Sequence, residues 1–512
     1  MPDYRNDNRR IARNTLIIYI NLFLNMAIGL ISSRLVLQAL GVSDYGLYNV
    51  AGGVALLFTF ISNALSSTTF RFVNVEMGKK DGGDINRVFN VCRVLHIAIA
   101  VILFLILEIG GIWYIYHHLN VEPGKEADAL FVFQVATIVM ALGVMNVPYS
   151  SLFNATEKFF FSAVVTLTGK LIEFALVIWL LGYGGNRLRA YSVIMISSTV
   201  IPFIVYHIAA YRKWPSYVRW KLVSGWRNYK EVIAFSNYNL LSGVASVARS
   251  QGSALLINFF FGTAVNGAFA VAKSMERHVF SFSNRFQDAA GPQITQNYTN
   301  GRLERVYYLS SKIGKYSMLM FLLAFFPLWA EMEFVLDVWL TEVPEGALMF
   351  CRMILLLIFV STTCGGIWQV INASGKVAWF RAVYSFLTVS CIPVGFFVLK
   401  AGSPAYILLA LFVAADVIYR IIELWMAHRI LHFPSLHFCR DAYLPVAKVA
   451  VLMVPILVLT SFIPWDSPLW SFGRLLLIVF LTAGAEYFVG LDKGERERVL
   501  SQIKRKLPCR TR

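Results

Sequence analysis

A chain of 512 residues would ordinarily divide into several soluble domains, but 57% of this one is hydrophobic and only 15% charged, against about 25% charged in soluble proteins. Fourteen membrane spans at roughly 20 apolar residues each would consume most of its length and leave no room for a soluble domain. The formal net charge of +17 does not point to nucleic acid, because of where its cations fall. Six cysteines are scattered without a CxxC pair, so neither a disulfide framework nor a zinc site is expected.

Apolar runs occur at 14–40, 45–73, 88–116, 127–153, 159–183, 188–211, 231–261, 264–291, 312–338, 347–372, 377–400, 404–428, 442–463 and 468–490. Each is long enough to cross ~30 Å of hydrocarbon as a helix. The eighth is interrupted by Lys273, Glu276, Arg277, Arg285 and Asp288. The first exceeds the core of a cleavable signal and lacks an A-x-A site. The N-terminus, the even-numbered connections and the tail hold roughly 29 Lys and Arg, the odd-numbered ones about four (Lys125, Arg187, Arg189, Lys400), a bias that places both termini in the cytoplasm. The expected fold is an all-α polytopic membrane protein of about fourteen transmembrane helices.

The chain also repeats. Gly41-Val-Ser-Asp-Tyr-Gly46-Leu-Tyr-Asn-Val50-Ala51 matches Gly262-Thr-Ala-Val-Asn-Gly267-Ala-Phe-Ala-Val271-Ala272 at an offset of 221. Asn154-Ala-Thr-Glu-Lys158 matches Asn372-Ala-Ser-Gly-Lys376 at 218. Spans 1–6 and 7–12 therefore read as two copies of one unit. An even number of spans per copy makes the repeats parallel, related by a pseudo-two-fold along the membrane normal. The expected domains are an N-lobe over 1–211, a basic cytoplasmic linker over 212–230, a C-lobe over 231–430, two further helices over 431–490 and a basic tail over 491–512. Trp214, Trp220 and Trp226 among the linker cations suit a helix lying on an anionic leaflet.

With two six-helix lobes, a short basic N-terminus and the stretch from Arg34 to Val50 (RLVLQALGVSDYGLYNV), the chain resembles the polysaccharide flippases of the MATE-like (MOP) superfamily, nearest the Wzx-type O-antigen and lipopolysaccharide repeat-unit transporters. The specific match covers roughly residues 9–75; elsewhere the resemblance is one of architecture. It implies a bacterial inner-membrane protein that moves undecaprenyl-diphosphate-linked oligosaccharide outward by alternating access. A proton or sodium ion would be the coupling species, with no other cofactor. Membrane lipids and the polysaccharide polymerase and assembly proteins would be its surroundings and partners. Fourteen spans is also typical of the lipid II flippases, and an ion-coupled multidrug exporter shares the fold; both stay as alternatives.

Charges inside spans are costly and therefore candidate functional groups. Arg34 and Arg249, in the first span of each lobe, could clamp a diphosphate bidentately. Lys273, Arg277, Asn284 and Asp288 share one face of span 8 at helical spacing, flanked by Arg285. Asn63 lies on the matching stripe of span 2, and Arg71 belongs to that span's polar cytoplasmic end. Asp416, Arg420 and Glu423 share a face of span 12, and Lys170 and Glu173 form an i, i+3 pair. Burial disfavours the charged form of a carboxylate, so Glu108, Asp416 and Asp288 are the ion-coupling candidates. His428, His432 and His437 read as interfacial rather than metal-binding. The sequons at Asn154 and Asn372 fall on the cytoplasmic side and are discounted. Without a Walker A sequence, direct ATP drive is not expected; without an Asp-x-Asp or a large external loop, neither is an enzyme of polysaccharide assembly. The intramembrane excess of cations favours an anionic substrate over a cationic drug.

Overall fold

A computed structural model describes residues 4–57, 59–77, 83–156, 158–462 and 467–497. For Asn63, Asn284, Arg285 and Asp288 the backbone alone is described, so those candidate side chains lie outside the described residues, as does the tail from 498 onward. No strand occurs among the described residues. In chain order the helices are α1 (Tyr4–Leu56), α2 (Thr59–Met77), α3 (Ile85–Ile106), α4 (Ile112–His117), α5 (Glu126–Ala155), α6 (Phe159–Leu181), α7 (Arg187–Lys213), α8 (Pro215–Val218), α9 (Trp226–Val247) and α10 (Ser253–Thr299). There follow α11 (Leu303–Ala330), α12 (Met332–Trp339), α13 (Ala347–Thr362), α14 (Gly365–Ser374), α15 (Val377–Lys400), α16 (Ile407–Leu431), α17 (Ser435–Phe438), α18 (Leu444–Ser461) and α19 (Pro468–Ala485). Single π-helical turns occur at Leu107–Gly111, Ala248–Gly252, Cys439–Tyr443 and Glu486–Gly490.

Among the described residues nine helices are long and apolar enough to cross a membrane, ten if the bent pair α13–α14 is one span. α16 occupies the twelfth expected span with 25 residues, but Asp416, Arg420 and Glu423 exceed the charge an ordinary lipid-facing span carries. Apolar side chains that a soluble protein would bury stand exposed along the spans, Val451 at 73% and Leu459 at 67% on α18 among them. They find their solvent in lipid.

One span expected to be continuous is not: the tenth bends by 47° between α13 and α14. A broken helix in hydrocarbon must have its freed carbonyls satisfied; the Tyr443 hydroxyl donates to the Thr363 carbonyl at 3.1 Å, at that bend.

By packing, the chain divides into two compact units, described separately. The first comprises 1–274, 339–347 and 388–408; the second comprises 275–338, 348–387 and 409–512. In the first unit, Leu47, Val50, Val54, Leu103, Phe133 and Met140 build one apolar core. Phe89, Tyr149, Leu152, Phe153, Tyr206 and Val232 build another. Between the end of α7 at Lys213 and the start of α9 at Trp226 the linker contains the single turn α8, not a long interfacial helix. It is stapled to the start of α3: Asn86 Nδ2 donates to the Arg219 carbonyl at 2.8 Å and Asn90 Nδ2 to the same oxygen at 2.9 Å. Arg93 lies 4.7 Å above the Trp220 ring.

The core of the second unit runs from Ile313, Leu319 and Leu322 of α11 through Ile367 and Ile371 of α14 to Val449 and Ile478 of the C-terminal pair. α14 reaches α11 closely because both present glycine: a Cβ on Gly366 would collide with the Ser310 carbonyl and lie 3.1 Å from the Gly314 nitrogen. The chain's end is tied back onto α11. Glu495, 7% exposed, accepts from Lys312, from Lys315 Nζ at 2.6 Å, from the Tyr316 hydroxyl at 2.7 Å and from the Asp492 amide at 2.9 Å. Burial alone would raise its carboxyl pKa, but the Lys312, Lys315, Asp492 and Tyr316 donors outweigh burial and hold it at about 2, below its ordinary 4.5. A depressed acid contributes stability above its unfolded pKa and loses it as pH falls through the folded one. Glu495→Gln strands the 3%-exposed Lys315 and is expected to cost about 3 kcal/mol, read as a lower thermal-unfolding midpoint at pH 7. The gap from wild type should hold above pH 4.5 and close toward pH 2; equal midpoints at pH 7 would show that the tail contributes nothing.

Candidate functional site

The repeated glycines set the geometry of the first unit. Gly41 has φ 77° and ψ 172°; Gly262, 221 residues on, has φ 78° and ψ −170°. This region of backbone space belongs almost solely to glycine, and each residue interrupts a long helix. The two interruptions meet. A Cβ on Gly46 would overlap the Thr263 carbonyl and lie 2.7 Å from the Gly267 nitrogen, and one on Gly267 would overlap the Val42 carbonyl. With no side chains intervening, short polar groups bridge the two repeats. Ser43 Oγ and Thr263 Oγ1 are 2.9 Å apart, and Asn49 Nδ2 donates to Asn266 Oδ1 at 2.9 Å. Asn258 pairs reciprocally with the Asn120 backbone, accepting from its N–H at 3.0 Å and donating to its carbonyl at 2.9 Å. Lys125 clamps Asp44 with contacts of 2.8 and 3.0 Å, and hydrogen bonding to Asp44 raises the pKa of that ammonium. Sequence reading finds the motif as a repeat signature and misses it as a contact; the signal is the second glycine of each G-x4-G.

The candidate cations are distributed as follows. Arg34 is exposed on α1, seven residues before the Gly41 turn, and Arg71 is exposed on α2. Arg249 is half-buried in the π turn Ala248–Gly252. The Gln251 side chain of that turn lies against Gly53, where a Cβ would sit 2.6 Å from Gln251 Oε1. Lys273 is half-buried on α10 at the end of the first unit; Arg277, exposed on the same helix, belongs to the second.

Glu108 sits in the other membrane-embedded π turn of the first unit, Leu107–Gly111. Gln134 Nε2 donates to its Oε2 at 3.0 Å, while its Oε1 is buried without a hydrogen-bond partner. Single π turns recur at functional sites because they redirect one side chain out of helical register. On α6, Lys170 and Glu173 pair at 2.8 Å.

In the second unit the break between α13 and α14 lies beside the α16 charges. Ser361 Oγ donates to Asp416 Oδ2 at 3.2 Å. Arg420 pairs with Glu423 at 2.5 Å, and the two carboxylates lie in the interior, Glu423 1% exposed and Asp416 2%. Spacing alone leaves open which carboxylate takes the guanidinium; the side-chain geometry gives it to Glu423. Among the described residues no group of His, Cys, Asp and Glu could hold a metal ion by geometry.

No known protein-family pattern matches the sequence, and no curated protein matches it either. Solved structures do match the fold. The lipid II flippase MurJ in its inward closed conformation superposes with a TM-score of 0.67 at 13% identity, covering 92% of this chain and 98% of that one. The MATE multidrug transporter DinF-BH gives 0.59 at 14% identity, covering 82% and 95%. A MOP-superfamily transporter from Pyrococcus furiosus, described as having a binding pocket of reverse polarity that suggests a different function, gives 0.55 at 15%, covering 82% and 96%. The chain is thus a multi-pass helical membrane protein with the fold of MOP-superfamily transporters.

The glycine junction is directly testable. Gly46→Val places a side chain against backbone that cannot move aside cheaply, so the junction should part. In a background without native cysteines, a cysteine at Thr263 is expected to react with a thiol reagent at least about tenfold faster, on the order of 1.4 kcal/mol, in the Gly46→Val protein. Equal rates in two equally folded proteins would mean that the contact does not hold this end shut.

Proposed function

We propose that the protein is a flippase that moves an undecaprenyl-diphosphate-linked oligosaccharide, of the O-antigen, capsule or lipopolysaccharide repeat-unit type, from the cytoplasmic to the outer leaflet by alternating access. The observation that carries this reading is the set of cations around the two glycine turns, Arg34, Arg249, Lys273 and Arg277, against the acids Asp44, already held by Lys125, and Glu276. Taking a diphosphate out of water would cost tens of kcal/mol without compensating charge, and guanidinium groups compensate it bidentately. A pocket for cationic drugs would call for the opposite sign. On the topology read from the loops, the junction of Gly46 with Gly267 lies at the outer end and would be the gate shut against the periplasm, leaving the cytoplasmic end for loading. The protein would be a transporter rather than an enzyme.

A second reading, lipid II as cargo, draws on the likeness to the lipid II flippase. That match covers about one-tenth more of the chain than the MATE matches do, on the order of the C-terminal pair α18 and α19. Both substrates carry a lipid-linked diphosphate, so the cations serve either. Complementation separates the two. The protein is expected to restore surface polysaccharide to a strain lacking its O-antigen-type flippase, and not growth to cells depleted of the lipid II flippase. Arg34→Ala and Arg249→Ala, at normal protein levels, should lower export at least about tenfold, the worth of one charge-assisted hydrogen bond; full activity of both would remove them from the mechanism.

Coupling follows from the same charges. With the cytoplasm negative, moving two negative charges outward is downhill by about 4.6 kcal/mol at 100 mV, so the costly step is the return of the unloaded carrier. Glu108 in the first unit and Asp416 in the second would each be a place for a proton or sodium ion to exchange during that return. In proteoliposomes lacking pH and sodium gradients, transport should depend on the sign of the imposed potential. Equal rates at both polarities, with Glu108→Gln and Asp416→Asn fully active, would sink this account.

A further inference from the structure

We propose that an open recess of about 510 Å³ lined by α5, α6 and α7 binds a single neutral sugar residue through a wall rich in neutral polar groups. The helices converge on it with polar residues one turn apart. Asn146, Ser150 and Asn154 follow at intervals of four along α5, as do Ser162 and Thr166 along α6. Along α7, Ser198, Pro202 and Tyr206 keep the same interval. Three such stripes on otherwise apolar helices, meeting in one space within one unit, form a built recess rather than a packing flaw. The volume falls within the roughly 300–1,000 Å³ of small-molecule sites.

The wall's hydrogen-bond arithmetic selects the ligand. A hydroxyl has one hydrogen and two lone pairs, and here the hydrogens are spent locally. Ser150 donates to the Val147 carbonyl at 3.1 Å, Ser198 to that of Met195 at 3.0 Å and Thr166 to that of Ser162 at 2.9 Å. Ser162 in turn donates to Asn154 Oδ1 at 3.2 Å. Their lone pairs are what remain. Asn146 Oδ1 is buried with no partner, and Pro202 has no N–H to return to the Ser198 carbonyl one turn back. The hydroxyls of the wall therefore need donors, and the Asn146 and Asn154 amides, each with two N–H groups to give, can meet the acceptor side of the same ligand. The lining has no charged side chain, so a phosphate would give up its hydration for neutral amides without a cation, and a cation would give up its own without a carboxylate. A polyhydroxylated, uncharged group supplies several donors at no charge cost. That the sugar belongs to a lipid-linked oligosaccharide rests on the flippase reading; the binding itself does not.

The test uses the purified full-length protein in detergent, with D-glucose, D-galactose and N-acetyl-D-glucosamine as neutral probes and D-glucuronate and choline as charged ones. Saturation-transfer NMR is expected to show at least one neutral sugar binding with a dissociation constant on the order of 1 mM, and both charged probes binding at least about tenfold more weakly. Asn146→Leu and Thr166→Val should each weaken that binding roughly fivefold to tenfold, the worth of one hydrogen bond. Thr168→Val, on α6 but outside the lining, should leave it unchanged. Ala163→Trp fills the cavity and should abolish binding; if it does not fold, the two smaller substitutions carry the test. Saturable binding by no neutral sugar, a preference for a charged probe, or binding indifferent to Asn146→Leu and Thr166→Val would overturn the proposal. Undiminished oligosaccharide export by a folded Ala163→Trp protein would also overturn it as a transport subsite, leaving the flippase reading in place. A failed complementation with sugar binding intact would do the reverse.

Discussion

The contact on which the first unit depends is backbone against backbone. In hydrocarbon there is no hydrophobic drive between helices, so they associate through close packing and polar bridges, and every N–H and C=O must find a partner within the protein. Gly46 and Gly267 meet the first demand by bringing chain to chain with nothing between. The asparagines meet the second. Asn258 pairs with both backbone groups of Asn120, and Asn266 donates to the Ala254 carbonyl while accepting from Asn49. Any Cβ at either glycine strikes a carbonyl, so the junction is either made at this distance or not at all. Such an all-or-none contact suits a structure that must be shut in one state and open in another, because packed interfaces are bistable rather than continuously deformable.

The spans are legible in the sequence because hydropathy sums over about twenty residues, and the apolar runs are longer than that. The repeat is legible at Gly41 and Gly262 as a spelling, and the backbone returns it as the same pair of angles. The π turns holding Glu108 and Arg249 are not legible: one extra residue in a turn changes hydrogen-bond register without changing composition. The bend between α13 and α14 escapes for a related reason, since Thr362 and Thr363 are compatible with a helix, and the hydroxyl that stabilises the break, Tyr443, lies 80 residues away. The linker departs from expectation because three tryptophans among cations suggest a surface helix, while the Asn86 and Asn90 amides hold the Arg219 carbonyl, just past α8, against α3.

A search of the sequence for a site follows charge, and neutral polar residues are invisible to such a search. Asn146, Ser150 and Asn154 keep a helical interval of four as faithfully as Lys273 and Arg277 do, yet a serine in a span costs little and attracts no notice. The charged residues are also arranged in a way that spacing cannot reveal: on α16 the Arg420 guanidinium pairs directly with Glu423, while Ser361 donates to Asp416.

The carboxylates of the spans differ in what they face. Glu423 faces Arg420, Glu173 faces Lys170 and Glu331 faces Arg474 at 2.8 Å. Protonating Glu423 or Glu331 strands Arg420 or Arg474 in the interior, which is expensive when one partner of a buried pair is lost; Lys170 is more exposed and would lose less. Glu108 has a neutral partner instead, the Gln134 amide, and one oxygen with no hydrogen-bond partner. Protonation there strands nothing: the amide still has an oxygen to donate to, and the bare oxygen gains the proton it lacked. A coupling acid has to exist in both forms within one cycle, so its surroundings must tolerate both. Among the carboxylates of the first unit's membrane helices, Glu108 has the neutral partner that the proposed coupling role calls for, and Glu173, held by a lysine, does not.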